Sequence, residues 1–380
     1  MPMDTSSTKA RRSAWIRVLA VALLVTAYCT VAAIPSGTDG RREEMDARMK
    51  GLITASLRPC LDTAASAVCG EVSISEVGSG RRPLSVYLVR QEDGAGWEDC
   101  WYYADRAPVV PGAIMQAATL AYYLDRGAVS LHKTLPTRRG ILPELARGAE
   151  DQTHDSHIVD YERMTGKDSI SVREGFLNSY RYVTDRYVLD DTDRGPWSEY
   201  RGFMDNLDRY FGTSDGYYVP PYYYREPIRG SIASICDGSG IILSQEQILR
   251  FYGSIANGGV RPPHRYLPKR RICSEEVANE IAALLRENVT EGTGRLLKDC
   301  PVPVSGKTGI GLLDKGSVPG YGSIDGNGEV RTCSFAGFFP SDNPRYAMCV
   351  TLYFKDSPRY ALPTLAFGDI VRGIMDKGLL

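Results

Sequence analysis

Several features of metal-binding and nucleic-acid-binding proteins are missing from this 380-residue sequence. It has only four histidines, and its nine cysteines form no Cys-x-x-Cys pair, so the spacing predicts neither a metal site nor a cofactor. The formal net charge of −1 leaves no basic field to offset the phosphates of a nucleic acid. Internal repeats and low-complexity segments are absent as well. With 43% hydrophobic residues, the chain has enough apolar material to bury a large core.

One long uncharged run stands near the N-terminus. Residues 18–34 carry no charge and follow a basic tail at residues 1–17. As a helix the run spans about 25 Å, just enough to cross a bilayer, and its basic flank predicts a cytoplasmic tail. A cleaved signal segment is the alternative, but the length favours a retained anchor. We therefore expect a single-pass protein of the cytoplasmic (inner) membrane, with the rest of the chain in the periplasm or outside.

The cysteines suit an exported protein. Eight of them follow the hydrophobic run, and an oxidising compartment permits disulfides. Proximity in sequence favours a Cys60–Cys69 pair. Buried free thiols are an equally open alternative for most of the eight.

Hydrophobic periodicity predicts a mixed α/β architecture. A linker and helix occupy residues 35–68, strands follow at 71–74 and 85–89, and strands return at 333–339 and 346–354. Helices are predicted at residues 43–61, 112–127, 172–189, 196–211, 244–257, 274–289 and 364–377. Strands at both ends with helices between them predict a sheet completed by the N- and C-terminal pieces.

A short motif carries most of the functional information. Ser305–Gly309 reads Ser-Gly-Lys-Thr-Gly, and Ser334–Pro340 follows it as a small-residue and aromatic strand. This pairing is typical of enzymes that attack a carbonyl with an activated serine. Such enzymes need a Ser-x-x-Lys at the start of a buried helix, because serine is a weak nucleophile without an adjacent base. The corresponding stretch here, Pro111–Gln116, has neither residue.

Five segments in order resemble the transpeptidase domain of class B, division-type penicillin-binding proteins. They are Asp155–His157, Ser231–Ala233 with Leu243–Gln247 and Ile255–Gly259, Val289–Gly294, Val304–Gly309 and Ser334–Pro344. The resemblance covers residues 69–380 and implies a penicillin-binding protein transpeptidase or serine β-lactamase-like fold. That fold has an antiparallel sheet flanked by helices. The family's activity would be that of a serine D,D-transpeptidase that cross-links peptidoglycan.

The resemblance assigns two vacant catalytic positions. Ala113 occupies the place of the nucleophile, and Gln116 that of the base. The second motif of the family, Ser-x-Asn, falls on Ser179 and Arg181, so its serine remains and its asparagine is replaced.

The third motif is intact. Lys307, Thr308 and Gly309 match the family's carboxylate-binding strand, while Ile310 replaces a usual hydroxyl residue and still offers its backbone N–H. With Ser179 and Arg181, these four residues form the expected ligand-binding set.

Three functions are compatible with this pattern. The leading hypothesis is a catalytically inactive relative that binds peptidoglycan stem peptides, or a β-lactam-like ligand, without forming a covalent bond, or that binds cell-division or other envelope proteins. The second is an active D,D-transpeptidase or carboxypeptidase with a relocated nucleophile, Ser130 or Ser179. The third is a purely structural envelope protein in which the Lys307 cleft has no role.

Overall fold

The computed structural model describes residues 37–91, 94, 96–104, 106–142, 155–191, 196–212, 228–263, 268–314, 317–320 and 328–379. The predicted basic tail and hydrophobic run lie outside these ranges. Among the helices within them, none has the length and apolar character needed to cross a bilayer. The chain divides into two units, Met1–Met49 and Lys50–Leu380, and of the first only residues 37–49 are described.

Helices and strands alternate irregularly along the chain. The helices are α1 Gly37–Asp62, α2 Met115–Asp125, α3 Ser156–Thr165, α4 Val172–Leu177, α5 Arg181–Asp191, α6 Pro196–Phe211, α7 Ile228–Asp237, α8 Gln245–Ala256, α9 Glu275–Thr290 and α10 Leu362–Asp376. The strands are β1 Ala67–Glu76, β2 Leu84–Arg90, β3 Trp97–Asp99, β4 Thr134–Pro136, β5 Ser169–Ser171, β6 Val260–Arg261, β7 Arg270–Arg271, β8 Ser305–Asp314, β9 Glu329–Phe339 and β10 Tyr346–Phe354. Single 3₁₀ turns occur at Gly112–Ile114, Arg138–Gly140 and Arg295–Leu297.

A six-stranded antiparallel sheet forms the centre of the larger unit. Its strand order is β3-β2-β1-β10-β9-β8. β1 pairs with β10, with Val72 opposite Val350, so the first and last strands of the chain lie side by side. This arrangement confirms the predicted sheet built from N- and C-terminal pieces. β8, which carries the Lys-Thr-Gly motif, is one edge strand of this sheet, and β3 is the other.

Both faces of the sheet are covered by helices, as the alternation of side chains along β9 shows. Phe335 and Phe339 point to one face and pack edge-on against Phe367 of α10. Ala336 and Phe338 point to the other face, into the core cluster that α8 shares. Because successive strand residues point to opposite faces, a continuous apolar strand indicates burial on both sides.

One predicted helix is wrong. Residues 172–189 form two helices, α4 and α5, with a break at Ser179. Ser179 adopts φ +58, a left-handed conformation that a continuing right-handed helix excludes. The break turns the Ser179 hydroxyl away from a regular helical position and brings it to the edge strand.

The expected Cys60–Cys69 disulfide is also wrong. All eight cysteines of the described chain are free thiols, and seven of them are buried. The Cys60 thiol donates to the Leu362 carbonyl at 3.5 Å, while Cys69 is fully buried in the core. The alternative of buried thiols is therefore confirmed for these two residues.

Candidate functional site

The turn that leads into α2 is interlocked with the edge strand. Gly112 has φ +51, and a side chain there would place Cβ 2.0 Å from the Ile310 carbonyl oxygen. At Gly309, a Cβ would lie 2.1 Å from the Pro111 carbonyl oxygen. Only glycine permits so close an approach of two backbones. The turn therefore holds Ala113 beside the strand that carries the Lys-Thr-Gly motif.

The residues at the two vacant catalytic positions can act neither as a nucleophile nor as a base. Ala113 is half-buried and presents a methyl group. Gln116, one helical turn further on, is buried, and its Oε1 has no hydrogen-bond partner among the described residues. An amide does not act as a base at neutral pH, so neither side chain performs the family's proton transfer.

Lys307 is fully buried and approaches the serine of the second motif. Its Nζ donates a hydrogen bond to Ser179 Oγ and lies 5.2 Å from the centre of the Phe176 ring. In the described chain, no acidic side chain forms an ion pair with this ammonium group. Burial lowers the pKa of Lys307 to about 7, because a buried charge loses its hydration. At neutral pH, Lys307 is therefore present in both its charged and its neutral form.

A chain of hydroxyl and amide groups extends from this contact. Thr293 Oγ1 lies 3.2 Å from Ser179 Oγ and accepts a hydrogen bond from Thr308 Oγ1 at 2.8 Å. Thr293 in turn donates to Asn288 Oδ1 at 3.2 Å, and Asn288 Nδ2 donates to the Gly306 carbonyl at 2.8 Å. The network therefore connects α9 to the strand on which a ligand carboxylate would lie.

Arg181 is held by two buried acids. Its Nε lies 3.3 Å from Asp185 Oδ2 and 3.3 Å from Asp237 Oδ2. Burial, followed by repulsion from Asp237, raises the pKa of Asp185 well above its usual range, and burial also raises the pKa of Asp237. Two carboxylates so close cannot both ionise easily, so the pair tends to share one proton. Arg181 is still 53% exposed.

The acid pair lies behind the turn that bears Ala113. Gly238, which follows Asp237, accepts a hydrogen bond from the Gly112 N–H at 3.1 Å. A Cβ on Gly238 would lie 2.7 Å from the Met115 Cβ. α7 therefore ends directly against the turn that bears Ala113 and the start of α2.

The structure brings most of the sequence-predicted set together. Lys307 and Ser179 are in direct contact, Thr308 joins them through Thr293, and Gly309 packs beneath the Ala113 turn. Ile310 is 47% exposed, with its backbone against Gly112.

Ser130, the other candidate for a relocated nucleophile, lies elsewhere. Ser130 is exposed beyond the end of α2, and only the backbone N–H of Lys133 bonds to its carbonyl. The Ser130–Lys133 stretch is thus not a helical Ser-x-x-Lys pair.

Sequence reasoning missed Asn288, Asp185 and Asp237. Thr293 lay within the recognised Val289–Gly294 segment, but its hydrogen bond to Thr308 was not predicted. For Asn288, the available signal was a polar residue on the inner face of the helix predicted at residues 274–289, and the structure shows that it is fully buried.

Part of the chain is similar in sequence to known proteins. Residues 205–372 match the family model of the penicillin binding protein transpeptidase domain. A 144-residue stretch is 31% identical to a probable peptidoglycan D,D-transpeptidase FtsI from Caulobacter vibrioides, over 34% of this chain and 23% of that protein. The chain thus matches less than a quarter of the length of this curated relative.

Solved structures show the same fold. The transpeptidase domain of Burkholderia pseudomallei penicillin-binding protein 3 superposes with a TM-score of 0.63 at 18% identity, covering 87% of this chain and 94% of that domain. A peptidoglycan synthetase from Bifidobacterium adolescentis gives a TM-score of 0.61 at 13% identity, over 86% of this chain and 59% of the other. The transpeptidase domain of a D,D-transpeptidase from Legionella pneumophila gives 0.55 at 17% identity, over 86% and 96%.

Proposed function

We propose that this chain, of which residues 205–372 match the penicillin binding protein transpeptidase domain, binds peptidoglycan stem peptides without being acylated by them. The observation that carries the proposal is the intact Lys307–Ser179 contact beside a methyl group at Ala113. The groups that would hold a ligand are present, and the group that would accept the acyl chain is missing.

The missing nucleophile has a large kinetic consequence. In a serine protease, loss of the nucleophile costs on the order of 10⁶ in turnover, and the remaining activity comes from binding and the oxyanion hole. Here the base is replaced as well, since Gln116 cannot take a proton from an attacking hydroxyl. A third change, Arg181, alters the motif that completes proton transfer in the family. These three substitutions together favour a binding protein.

Recognition of the ligand would depend on its terminal carboxylate. A carboxylate next to Lys307 stabilises the charged amine, so binding raises the lysine pKa from its value near 7 in the free protein. A charge-assisted hydrogen bond of this kind contributes about 1.5–3 kcal/mol. Thr308 and the backbone of β8 would hold the rest of the peptide in an extended conformation along the open edge.

The test is a titration of the full-length chain with a peptide ending in D-Ala-D-Ala. We expect binding to the peptide with a free carboxylate and much weaker binding to the same peptide with a C-terminal amide. Lys307→Met should weaken binding of the carboxylate by roughly tenfold to a hundredfold. Lys298→Met, at an exposed lysine, is the matched control and should bind normally.

Folding of the Lys307→Met variant is checked by its thermal unfolding. Its melting temperature should equal or exceed that of the parent, because the change removes a buried charge. If the parent chain discriminates neither between acid and amide nor between lysine and methionine, the cleft is not a carboxylate site. A purely structural envelope role would then be favoured, and Lys307→Ala would leave the cellular role intact.

A second candidate function is supported by the state of Lys307. A lysine with a pKa near 7 is a usable base, and it contacts the hydroxyl of Ser179, which has a left-handed backbone. Ser179 would then attack the carbonyl and pass its proton to neutral Lys307 Nζ. Lys307 would give this proton to the leaving amine as the amide bond breaks, which leaves an ester on Ser179. Peptide mapping after exposure to a β-lactam distinguishes the two functions, since relocation requires added mass on Ser179.

We place the protein at the cytoplasmic membrane, with its transpeptidase-like unit in the periplasm. The uncharged residues 18–34 and the basic tail before them support this placement. Cell-division or other envelope proteins are proposed as partners there.

A further inference from the structure

The hydroxyl group of Thr293 uses its whole hydrogen-bonding capacity inside the Lys307 site. A hydroxyl donates one hydrogen bond and accepts two. Thr293 Oγ1 contacts Asn288 Oδ1 at 3.2 Å, Thr308 Oγ1 at 2.8 Å and Ser179 Oγ at 3.2 Å. The donor in each contact decides where the hydroxyl protons of Ser179 and Thr308 point.

The orientation of the Asn288 amide fixes the first of these directions. Asn288 Nδ2 donates to the Gly306 carbonyl at 2.8 Å, and an oxygen in that place could not donate. Oδ1 therefore faces Thr293 and, as an acceptor, takes the single hydroxyl proton of that residue. Because Asn288 is fully buried, turning this proton elsewhere would deprive a desolvated oxygen of its donor.

The backbone around Thr293 holds the hydroxyl in this place. The Thr293 N–H donates to the Leu177 carbonyl at 3.0 Å, at the end of α4. A Cβ on Gly292 would lie 2.6 Å from Asn288 Oδ1, and a Cβ on Gly294 would lie 3.1 Å from Asn288 Nδ2. The Gly-Thr-Gly turn therefore packs directly against the buried amide.

With its proton given to Asn288, Thr293 can only accept from its other two neighbours. The hydroxyl protons of Thr308 and Ser179 therefore both point to Thr293 Oγ1. On its other side, Ser179 Oγ accepts a hydrogen bond from Lys307 Nζ. Ser179 is thus an acceptor for the lysine, which favours the charged ammonium, and its own proton is not available to a neutral amine.

Charged groups on the helices around this network have partners of opposite sign. The ion pairs join Arg181 to Asp185 and Asp237, and Arg173 to Glu287 and Glu291. Burial is what lowers the pKa of Lys307. The hydrogen bond to Ser179 acts against this lowering, because it stabilises the charged form.

We propose that Thr293 is a positioning residue that keeps Ser179 an acceptor for Lys307, so that the site holds a carboxylate and Ser179 is not activated as a nucleophile. The inference deepens the proposed function and rests on it for the identity of the ligand. Loss of the Thr293 hydroxyl should release the Ser179 proton, which a neutral Lys307 amine can then accept.

The experiment is an NMR titration of the full-length chain with ¹³C-labelled lysine and no ligand, in which Lys307→Met identifies the Lys307 signal. Thr293→Val removes the hydroxyl and nearly keeps the shape. Because Ser179 can then donate to neutral Nζ, Lys307 should lose its proton about 0.5–1 pH unit lower than in the parent chain. Thr293→Ser keeps the hydroxyl and should titrate like the parent. Thr290→Val, at an exposed threonine that donates to the Glu287 carbonyl, is the matched control and should also titrate like the parent.

A second variant tests the direction of the Lys307–Ser179 hydrogen bond with Thr293 in place. Ser179→Ala should lower the pH at which Lys307 titrates, because the ammonium loses an acceptor. A Ser179 that donates to the neutral amine would give the opposite shift. This comparison decides the question if the melting temperature shows that Thr293→Val does not fold.

The proposal is overturned if Ser179→Ala raises or does not change the pH of titration. It is also overturned if Thr293→Val titrates like Thr290→Val, or if Thr293→Ser shifts the titration as much as Thr293→Val does. The expected shifts in a chain that binds no D-Ala-D-Ala peptide would contradict the proposed function and leave the role of Thr293 intact.

Discussion

Lys307 combines complete burial with a hydroxyl partner and no acidic partner among the described residues. Such a lysine holds its proton less firmly than a surface lysine, which explains a pKa near 7. The charge that would attract a carboxylate is therefore present in only part of the molecules at neutral pH. The consequence is a ligand affinity that depends on pH.

We predict that the affinity for a D-Ala-D-Ala peptide falls as the pH rises through 7. Lowering of the pKa means that the free protein loses the Lys307 proton near pH 7, and the carboxylate binds the protonated form. Between pH 6 and pH 8 the dissociation constant should rise about tenfold. Calorimetric titrations at several pH values check this, with Lys307→Met as the control. A flat profile for the parent chain would contradict the assigned role of Lys307.

At the scale of secondary-structure elements, the position of β8 depends on α9. Asn288 is fully buried and joins the two elements through the Gly306 carbonyl, while its Oδ1 accepts from Thr293. Both ends of the amide are thus occupied. Loss of the Asn288 side chain would leave the buried Gly306 carbonyl without this hydrogen-bond donor.

Asn288→Ala should lower the free energy of unfolding by about 2–3 kcal/mol, because an unsatisfied buried group carries its full desolvation cost. Urea unfolding measures the change. Asn178→Ala is the control, since Asn178 is exposed and bonds only within its own turn. This control change should lower the free energy of unfolding by less than about 0.5 kcal/mol. Equal effects of the two changes would show that the α9–β8 link is unimportant.

A second element contact joins α5 to the end of α7 through Asp185 and Asp237. Both have raised pKa values, so their stabilising contribution is present at low pH and is lost as the pH rises through the folded-state values. Asp185→Asn puts a neutral group that cannot ionise in the place of this acid and keeps its shape. It should raise the melting temperature at pH 8 by about 2–4 °C. This rise in melting temperature should become smaller as the pH is lowered. The control variant Asp160→Asn, at an exposed aspartate, should show no such dependence on pH.

Melting temperatures of the parent chain, Asp185→Asn and Asp160→Asn, measured from pH 5 to pH 8, test this prediction. If Asp185→Asn lowers stability at pH 8, the pair is held as two ionised partners of Arg181, and the shared proton is disproved.

The sequence predicted the helices and strands better than it predicted the contacts between side chains. The helix at residues 196–211 and the strand at 346–354 have the predicted bounds, because strong periodicity and clear flanking residues mark them. The motif order also placed Ser179 near Lys307. The helix break at Ser179 was missed, although Asn178-Ser179 is a pair that tolerates turns and left-handed backbone.

The acid pair shows why the remainder could not be predicted. Asp185 and Asp237 lie in different helices, far apart in sequence, and neither belongs to a recognised motif. Charged residues in a helical pattern indicate a solvated face, and only the packing of α5 against α7 shows that both are buried. The same holds for Asn288, which is fully buried and donates to the Gly306 carbonyl of β8.

At the scale of the whole molecule, the proposal requires the chain to be held where peptidoglycan is made. Residues 18–34 would supply the anchor. We predict that the full-length chain sediments with membranes and resists extraction by salt and alkali. A variant lacking residues 1–34 should be recovered in the soluble fraction with the same melting temperature. Recovery of the full-length chain in the soluble fraction would contradict a membrane anchor.

The central claim is that no residue of this protein accepts an acyl group, and intact-mass spectrometry after prolonged exposure to a β-lactam tests it most directly. The double variant Ala113→Ser/Gln116→Lys serves as a positive control, because it restores the hydroxyl and the amine of the family. The account predicts an unchanged mass for the parent chain and added mass for the double variant. A stoichiometric adduct on the parent chain that Ser179→Ala abolishes would contradict it.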